Sequence, residues 1–290
     1  TTVTLTQPTP VTASATGVNP LCNNAANGTA TVVGSGGTPA YTYQWSNSQT
    51  TATATGLIAA TYTVTVTDTQ GCSTTTSVTL NNPPPISASA TGVNPLCNNA
   101  ANGTATVTAS GGTTPYTYQW INNQTTATAT GLIAGAYAVT VTDAQACSTT
   151  TTVTLTQPTP VTASATKTDP LCNNAANGTA TVTASGGTPG YTYLWSNTQT
   201  TATATGLIAS TYTVTVTDSQ GCSTTTNITL NNPPALAASA TGVNPLCNGA
   251  ANGTASVTAS GGTPAYTYLW SNSQTTATAT GLSVGTYTVT

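Results

Sequence analysis

The sequence predicts an all-β protein made of tandem β-sandwiches, and three observations carry that expectation. Rare residues return every 75 positions: Trp at 45, 120, 195 and 270, a Pro-Leu-Cys triplet ending at Cys22, Cys97, Cys172 and Cys247, and a second cysteine at 72, 147 and 222. A fixed period of this kind marks a chain of repeated structural units. Apolar and polar residues alternate, as where Tyr62, Val64 and Val66 are set between Thr61, Thr63, Thr65 and Thr67, which is the pattern of a half-buried strand. Breakers rich in Gly, Pro, Asn and Ser interrupt the alternation at short intervals, and no segment has a helical period.

The first repeat justifies each element. Gln7-Pro8-Thr9-Pro10 is a linker, since proline cannot pair within a sheet and stiffens a joint. Val11 to Thr16 alternates and reads as a first strand. A loop from Val18 to Asn27 follows, and Asn27-Gly28 resembles a hairpin turn, both residues tolerating positive φ. Thr29 to Val33 is a second strand, with Ala105, Val107 and Ala109 as the inward set of its counterpart in the second repeat. Ser35-Gly36-Gly37-Thr38-Pro39 breaks the chain. Tyr41, Tyr43 and Trp45 are two apart and share one face of a third strand. Thr50 to Leu57 and Thr61 to Asp68 give two more strands. Asp68-Thr69-Gln70-Gly71 has the residues of a type I turn, and Cys72 to Leu80 closes the unit with Val78 and Leu80 inward. Six or seven short strands in each repeat indicate a sandwich of immunoglobulin-like type.

The expected boundaries are 1–7 as the last strand of a preceding repeat, then repeats at 8–82, 83–157, 158–232 and an incomplete 233–290. Together they suggest a window on a longer array. Stacked end to end, such modules would give an elongated rod with about 35–45 Å per repeat, from ~3.4 Å per strand residue plus loops. A module this short buries a thin core, and aromatic residues are expected to supply much of it. The candidates are Tyr41, Tyr43, Trp45 and Tyr62, then Tyr116, Tyr118, Trp120 and Tyr137, then Tyr191, Tyr193, Trp195 and Tyr212, then Tyr266, Tyr268, Trp270 and Tyr287.

Composition removes most chemistry. Charged residues are 2% of the chain; His, Met and Phe are absent, and Lys167 is the only base. Thr makes up roughly a quarter of the residues, far above ordinary usage. There is no basic footprint for nucleic acid and no apolar run of membrane-spanning length. A nucleophile needs a base beside it, and acid–base chemistry needs groups that titrate; Asp68, Asp143 and Asp218 occur once per repeat and Asp169 is extra. No enzyme, cofactor or metal site is expected. One Asp per turn is too few for calcium and better suits a turn cap, and no close cysteine pair or His is present to hold zinc.

The cysteines are disulfide candidates. One pairing joins Cys22 to Cys72, Cys97 to Cys147 and Cys172 to Cys222, leaving Cys247 with a mate outside the window. The alternative staples neighbouring repeats: with a fibronectin-like strand order the two cysteines of one repeat lie at opposite ends, and Cys22 faces Cys147 instead. Free thiols are the third possibility. Asn27, Asn102, Asn177 and Asn252 each open an Asn-Gly-Thr glycosylation sequon, which also reads simply as a turn before a strand. The rows Thr61, Thr63, Thr65, Thr67 and Thr51, Thr53, Thr55 offer hydroxyl ladders to ice or polysaccharide. Against that, Thr is a good strand former, and sheet twist spoils a flat lattice match.

Asn27-Gly28-Thr29-Ala30-Thr31-Val32, then Ser35-Gly36-Gly37-Thr38-Pro39, Tyr41-Thr42-Tyr43-x-Trp45-Ser46-Asn47, Thr50 to Leu57 and Tyr62 to Asp68 together resemble the SprB repeat. That repeat is found in giant surface adhesins of gliding Bacteroidota and looks related to polycystic-kidney-disease (PKD)-type and fibronectin III-like sandwiches. The resemblance covers all four units. Repeat 2 departs at Thr113-Thr114-Pro115, where the proline shifts by one, and at Ala146, which replaces the turn glycine. The resemblance implies type IX secretion, display outside the outer membrane as a filament, and movement by the gliding motor, with no catalytic residues. The resulting expectation is a non-enzymatic cell-surface adhesin or filament giving reach, stiffness and weak multivalent attachment to extracellular surfaces or polysaccharides. A self-assembling fibre or sheath of like chains and an ice- or glycan-binding module are the alternatives.

Overall fold

The structure is a computed structural model and describes residues 1–290. The chain divides into two compact units: Thr1–Pro95 with Asn99–Gln157, and Leu96–Asn98 with Pro158–Thr290.

The first unit holds two sandwiches. One is built from β1 (Thr12–Val18), β2 (Gly28–Ser35), β3 (Thr42–Trp45), β4 (Thr53–Leu57), β5 (Thr61–Thr67) and β6 (Ser73–Thr79). These form two three-stranded antiparallel sheets, β1-β2-β4 and β3-β5-β6. The same order recurs in β7 (Ser87–Val93), β8 (Gly103–Ser110), β9 (Thr117–Trp120), β10 (Thr128–Leu132), β11 (Gly135–Thr142) and β12 (Ser148–Leu155). First, second and fourth strands on one sheet, third, fifth and sixth on the other, is the immunoglobulin-like arrangement.

The second unit repeats it in β13 (Thr162–Thr168), β14 (Gly178–Ser185), β15 (Thr192–Trp195), β16 (Thr203–Leu207), β17 (Thr211–Thr217) and β18 (Ser223–Thr229). It continues with a single sheet of β19 (Ala237–Val243), β20 (Gly253–Ser260) and β21 (Thr278–Leu282). There Trp270 bridges Val289 in place of a full second sheet.

Alternation explains which side chains go inside. Ala30 and Val32 of β2, Ala54 and Leu57 of β4, and Val64 and Val66 of β5 are buried around Trp45, with Leu80 closing the far end. Burying each of the Val and Leu side chains contributes roughly 1.5–3 kcal/mol, and each Ala less. Trp45, Trp120, Trp195 and Trp270 are all at most 2% exposed. A buried indole needs an acceptor for its N–H, and each finds one six residues on: Thr51, Thr126, Thr201 and Thr276 carbonyls, all at 2.9 Å. Beside it the Gln49 amide pairs with the Thr55 backbone like a strand neighbour. Its Nε2 donates to Thr55 O at 2.8 Å, and its Oε1 accepts from Thr55 N at 2.9 Å. Trp and Gln thereby hold the crossing from one sheet to the other.

Most of the tyrosines pack at the edge of a core. Tyr62 and Tyr212 are buried, while Tyr41, Tyr43, Tyr116, Tyr118, Tyr137, Tyr191, Tyr193, Tyr266, Tyr268 and Tyr287 are half-buried. Several of the phenols reach backbone acceptors, since an O–H withdrawn from water needs a partner. Tyr41 donates to Gly36 O at 2.6 Å. Tyr62 donates to Ile58 O at 3.1 Å, Tyr137 to Ile133 O and Tyr212 to Ile208 O. A tyrosine at the start of the fifth strand bonding back to the chain just upstream is the tyrosine corner of immunoglobulin-like sandwiches.

Two expectations are corrected. Residues 1–7 form no strand, and Val3 and Leu5 are 85% and 92% exposed. The identical residues 151–155 are a strand because β11 lies alongside them; residues 1–7 pair with no such neighbour. Asn27-Gly28 is not a positive-φ hairpin turn, the left-handed residue of that loop being Asn24 at φ 60°. Gly28 instead opens β2 against β4, where an added Cβ would lie 2.9 Å from Leu57 O.

Candidate functional site: the repeat joint

The two ends of a repeat are built from different local chemistry. At one end, Asn27 Oδ1 accepts from Leu21 N at 3.0 Å and closes the loop after β1. The left-handed Asn24 turns that loop toward the linker beyond β6. There Asn24 N donates to Asn82 Oδ1 at 2.9 Å, Asn82 Nδ2 returns to Asn24 Oδ1 at 3.0 Å, and Asn23 Nδ2 donates to Pro83 O at 3.1 Å. Asn81 N donates to Asn19 Oδ1 at 2.8 Å. Prolines supply acceptors only, so asparagine amides are the natural complement to this Pro-rich strap. The second unit repeats the arrangement at Asn173, Asn174, Asn232 and Pro233.

At the other end sits the turn between β5 and β6. Asp68 is 6% exposed, and its Oδ1 accepts from Gln70 N and Cys72 N at 3.0 and 2.9 Å. Its Oδ2 accepts from Thr38 N at 2.9 Å, tying the turn to the Gly36-Gly37 loop. Gly37 has φ +60°, and an added Cβ would sit 2.5 Å from Asp68 Oδ2. The Thr38 N–H, followed by those of Cys72, Gln70 and Gly71, holds the Asp68 carboxyl below its usual value, against the opposing effect of burial. Asp218 is lowered in the same way, first by Thr188. At Asp143 burial is the largest influence and raises the value, but the N–H groups of Thr113, Cys147 and Gln145 outweigh it.

These two ends meet through sulfur. Cys22 is bonded to Cys147, with Cα atoms 5.6 Å apart, and Cys97 to Cys222, also at 5.6 Å. Each bridge spans 125 residues and joins the loop of one repeat to the turn of the next. Cys72, Cys172 and Cys247 are free and exposed. The pairing Cys22–Cys72, Cys97–Cys147 and Cys172–Cys222 is therefore not the one found. The reason is geometric: β2, Gly28–Ser35, runs the length of the sandwich between the two ends. At ~3.4 Å per residue it separates them by about 25 Å, whereas a disulfide needs Cα atoms within about 7 Å.

The remaining candidates are engaged locally. Asn27, Asn177 and Asn252, the sequon residues, each accept a backbone N–H across their loop. The threonine rows hydrogen-bond across strands, as in Thr31 with Thr53, Thr61 with Thr79 and Thr211 with Thr229 at 2.8–3.0 Å. Lys167 and Asp169 pair at 2.9 Å. An open groove lined by Tyr41, Tyr43, Gln44, Thr51 and Thr65 recurs at Tyr116, Tyr118, Gln119, Thr126 and Thr140. Sequence reading did not single out this groove, because strands β3 and β5 and the crossing segment meet there only after folding.

No curated protein matches the chain. Among solved structures it is similar to the N-terminal eight immunoglobulin domains of Down Syndrome Cell Adhesion Molecule, at 9% identity and a TM-score of 0.30, over 91% of this chain and 53% of that one. It is also similar to domains 1–6 of the surface layer protein SbsC, at 17% identity and a TM-score of 0.27, over 92% of this chain and 51% of that one. The chain spans about half the length of both. Likenesses this distant carry no functional argument, and the fold assignment rests on strand order and the tyrosine corner. The SprB repeat family matches residues 14–50, 89–125, 164–200 and 239–275, together just over half of the chain. Each match runs from within the first strand, past the buried Trp, into the segment that crosses between sheets. The chain belongs to the SprB repeat family.

Proposed function

We propose that this chain is a non-enzymatic segment of a cell-surface adhesin or filament, its repeats supplying reach, stiff joints and many weak contacts. The observation that carries the reading is the joint, where asparagine hydrogen bonds tie the loop of a repeat to its linker and a disulfide ties the same loop to the turn of the neighbouring repeat. Such a joint suits an element that transmits pull. Disulfides of this kind persist in oxidising, extracellular settings, which supports display at the cell surface. Family membership supports export by the type IX system and a role in gliding motility. The uncharged grooves at Tyr41, Tyr43 and Gln44 and at Tyr116, Tyr118 and Gln119 suit neutral polysaccharide: aromatic faces for sugar rings, hydroxyls and an amide for their oxygens. Near-identical sites on one chain convert poor single contacts into firm attachment.

The test is retention on polysaccharide-coated and glass surfaces under flow, comparing the whole chain with the repeat 8–82, which encloses its own core. Firm retention of the chain with little of the single repeat is expected. Equal retention would remove multivalency, and no retention of either would leave a stalk or fibre whose adhesive part lies elsewhere.

A further inference from the structure

We propose that the two disulfides act together as a tension bypass, routing pull through the body of repeat 2 and holding the backbones on either side of it slack. The bypass follows from covalent topology and stands apart from the adhesin reading. Cys97 lies between Cys22 and Cys147, and Cys147 between Cys97 and Cys222, so the bridges interlock. Without them, the whole backbone 22–222 separates Cys22 from Cys222. With either bridge alone, the connection still includes one long backbone stretch: 147–222 beside the first bridge, or 22–97 beside the second. With both, the shortest route crosses from Cys22 to Cys147, runs back along 97–147 to Cys97 and crosses to Cys222. The stretch 97–147 is two thirds the length of 22–97 or 147–222.

That shortest route bears the load. Pull on the chain draws Cys97 and Cys147 apart, and between them lie β8 to β11 of repeat 2. Even when 97–147 is fully drawn out, the longer backbones 22–97 and 147–222 each keep a third of their length as slack. Loss of one bridge then lengthens the tether only by that slack, because the other still holds. Loss of the second releases a further 125 residues, the span that a bridge closes. Extensibility is capped twice over, and the cap survives a single cleavage.

The experiment is single-molecule pulling of the whole chain from Thr1 and Thr290, with Cys72, Cys172 and Cys247 first alkylated and dithiothreitol present at limiting concentration. Each cleavage gives two cysteine thiols, the dithiol supplying two electrons and two protons as it closes to its cyclic disulfide. At about 3.3–3.6 Å per extended residue, the expected record is one gain of about 85 Å followed by one of about 430 Å. The paired variant C22S/C147S, and equally C97S/C222S, lacks the first gain and keeps the second. Equal gains of about 170 Å would show bridges within repeats and overturn the proposal. An intact chain that extends fully without reductant would overturn it too. Non-reducing peptide mapping of the same samples identifies any variant whose bridges have rearranged, and the alkylated natural chain then decides alone.

Discussion

Repeats 1 and 3 have the same interior and opposite sulfur chemistry. In repeat 1 the loop cysteine, Cys22, is bonded and the turn cysteine, Cys72, is free; in repeat 3 Cys172 is free and Cys222 is bonded. Yet Trp45 and Trp195, Val64 and Val214, and Leu80 and Leu230 are equally buried, within 2% exposure. The asparagine contacts of the loop are also the same in both, at Asn24–Asn82 and Asn174–Asn232. A sandwich therefore reaches its packed state whichever of its cysteines is engaged. The core makes the module, and the disulfides join one module to another.

The comparison breaks most easily at the tryptophan. Trp45→Ala and Trp195→Ala each empty the middle of a sandwich and strip an acceptor of its indole donor, and each is expected to cost about 3–5 kcal/mol. Denaturant unfolding followed by the fluorescence of the remaining tryptophans checks this. Equal losses in the two repeats keep the core independent of the staple. A much larger loss in one would couple them.

Next in size is Gly37→Ala. Its left-handed backbone and the contacts waiting for a Cβ, Asp68 Oδ2 and Val11 Cγ2, leave no room. The cost is expected to be about 1–3 kcal/mol. Gly187 faces Asp218 and Val161 in the same way, so Gly187→Ala should match it.

Acid should act on both repeats alike. Asp68, Asp143 and Asp218 have folded-state values below the ordinary carboxylate value of 3.8. A carboxyl lowered on folding stabilises the native state above its unfolded value, and that contribution is lost as pH falls through the folded value. With no Glu or His in the chain, thermal stability is expected to hold level from about pH 5 to 7. It should decline below about pH 4, more gently in Asp68→Asn, which starts lower. A melting temperature that climbs on acidification would contradict the sign.

The smallest effect lies where the repeats differ in charge. Repeat 3 carries Lys167 and Asp169 where repeat 1 has Gly17 and Asn19. Asp169 Oδ1 still accepts the linker N–H, from Asn231 at 2.9 Å, as Asn19 does from Asn81. That N–H and then Lys167 hold the Asp169 carboxyl below its usual value. The double change Lys167→Gly with Asp169→Asn should leave the melting temperature almost unchanged in salt, since it restores the acceptor and removes an exposed pair.

Much of this architecture was legible in the sequence. Alternation read a strand from Thr61 to Asp68, one residue longer than β5, and its inward set Tyr62, Val64 and Val66. The Trp spacing placed the core of every repeat, and Asp68 was readable as the turn cap it proves to be. The joint was harder to read. Cysteine spacing fits pairing within a repeat and between repeats equally well, and only the direction of β2 separates loop from turn. Asn27-Gly28 looked like a turn because its use depends on Leu21 N, elsewhere in the same loop. Tyr41 and Tyr43 were read as core and do pack against it, but both stay half-buried and their outer edges help line the groove.

The most direct test of the account is disulfide mapping of the oxidised chain by non-reducing proteolysis and mass spectrometry. Peptides joining Cys22 to Cys147 and Cys97 to Cys222, with Cys72, Cys172 and Cys247 open to alkylation, are the predicted result. Peptides joining Cys22 to Cys72 and Cys97 to Cys147 would contradict it, because each repeat would then be sealed on itself and the joints left unstapled.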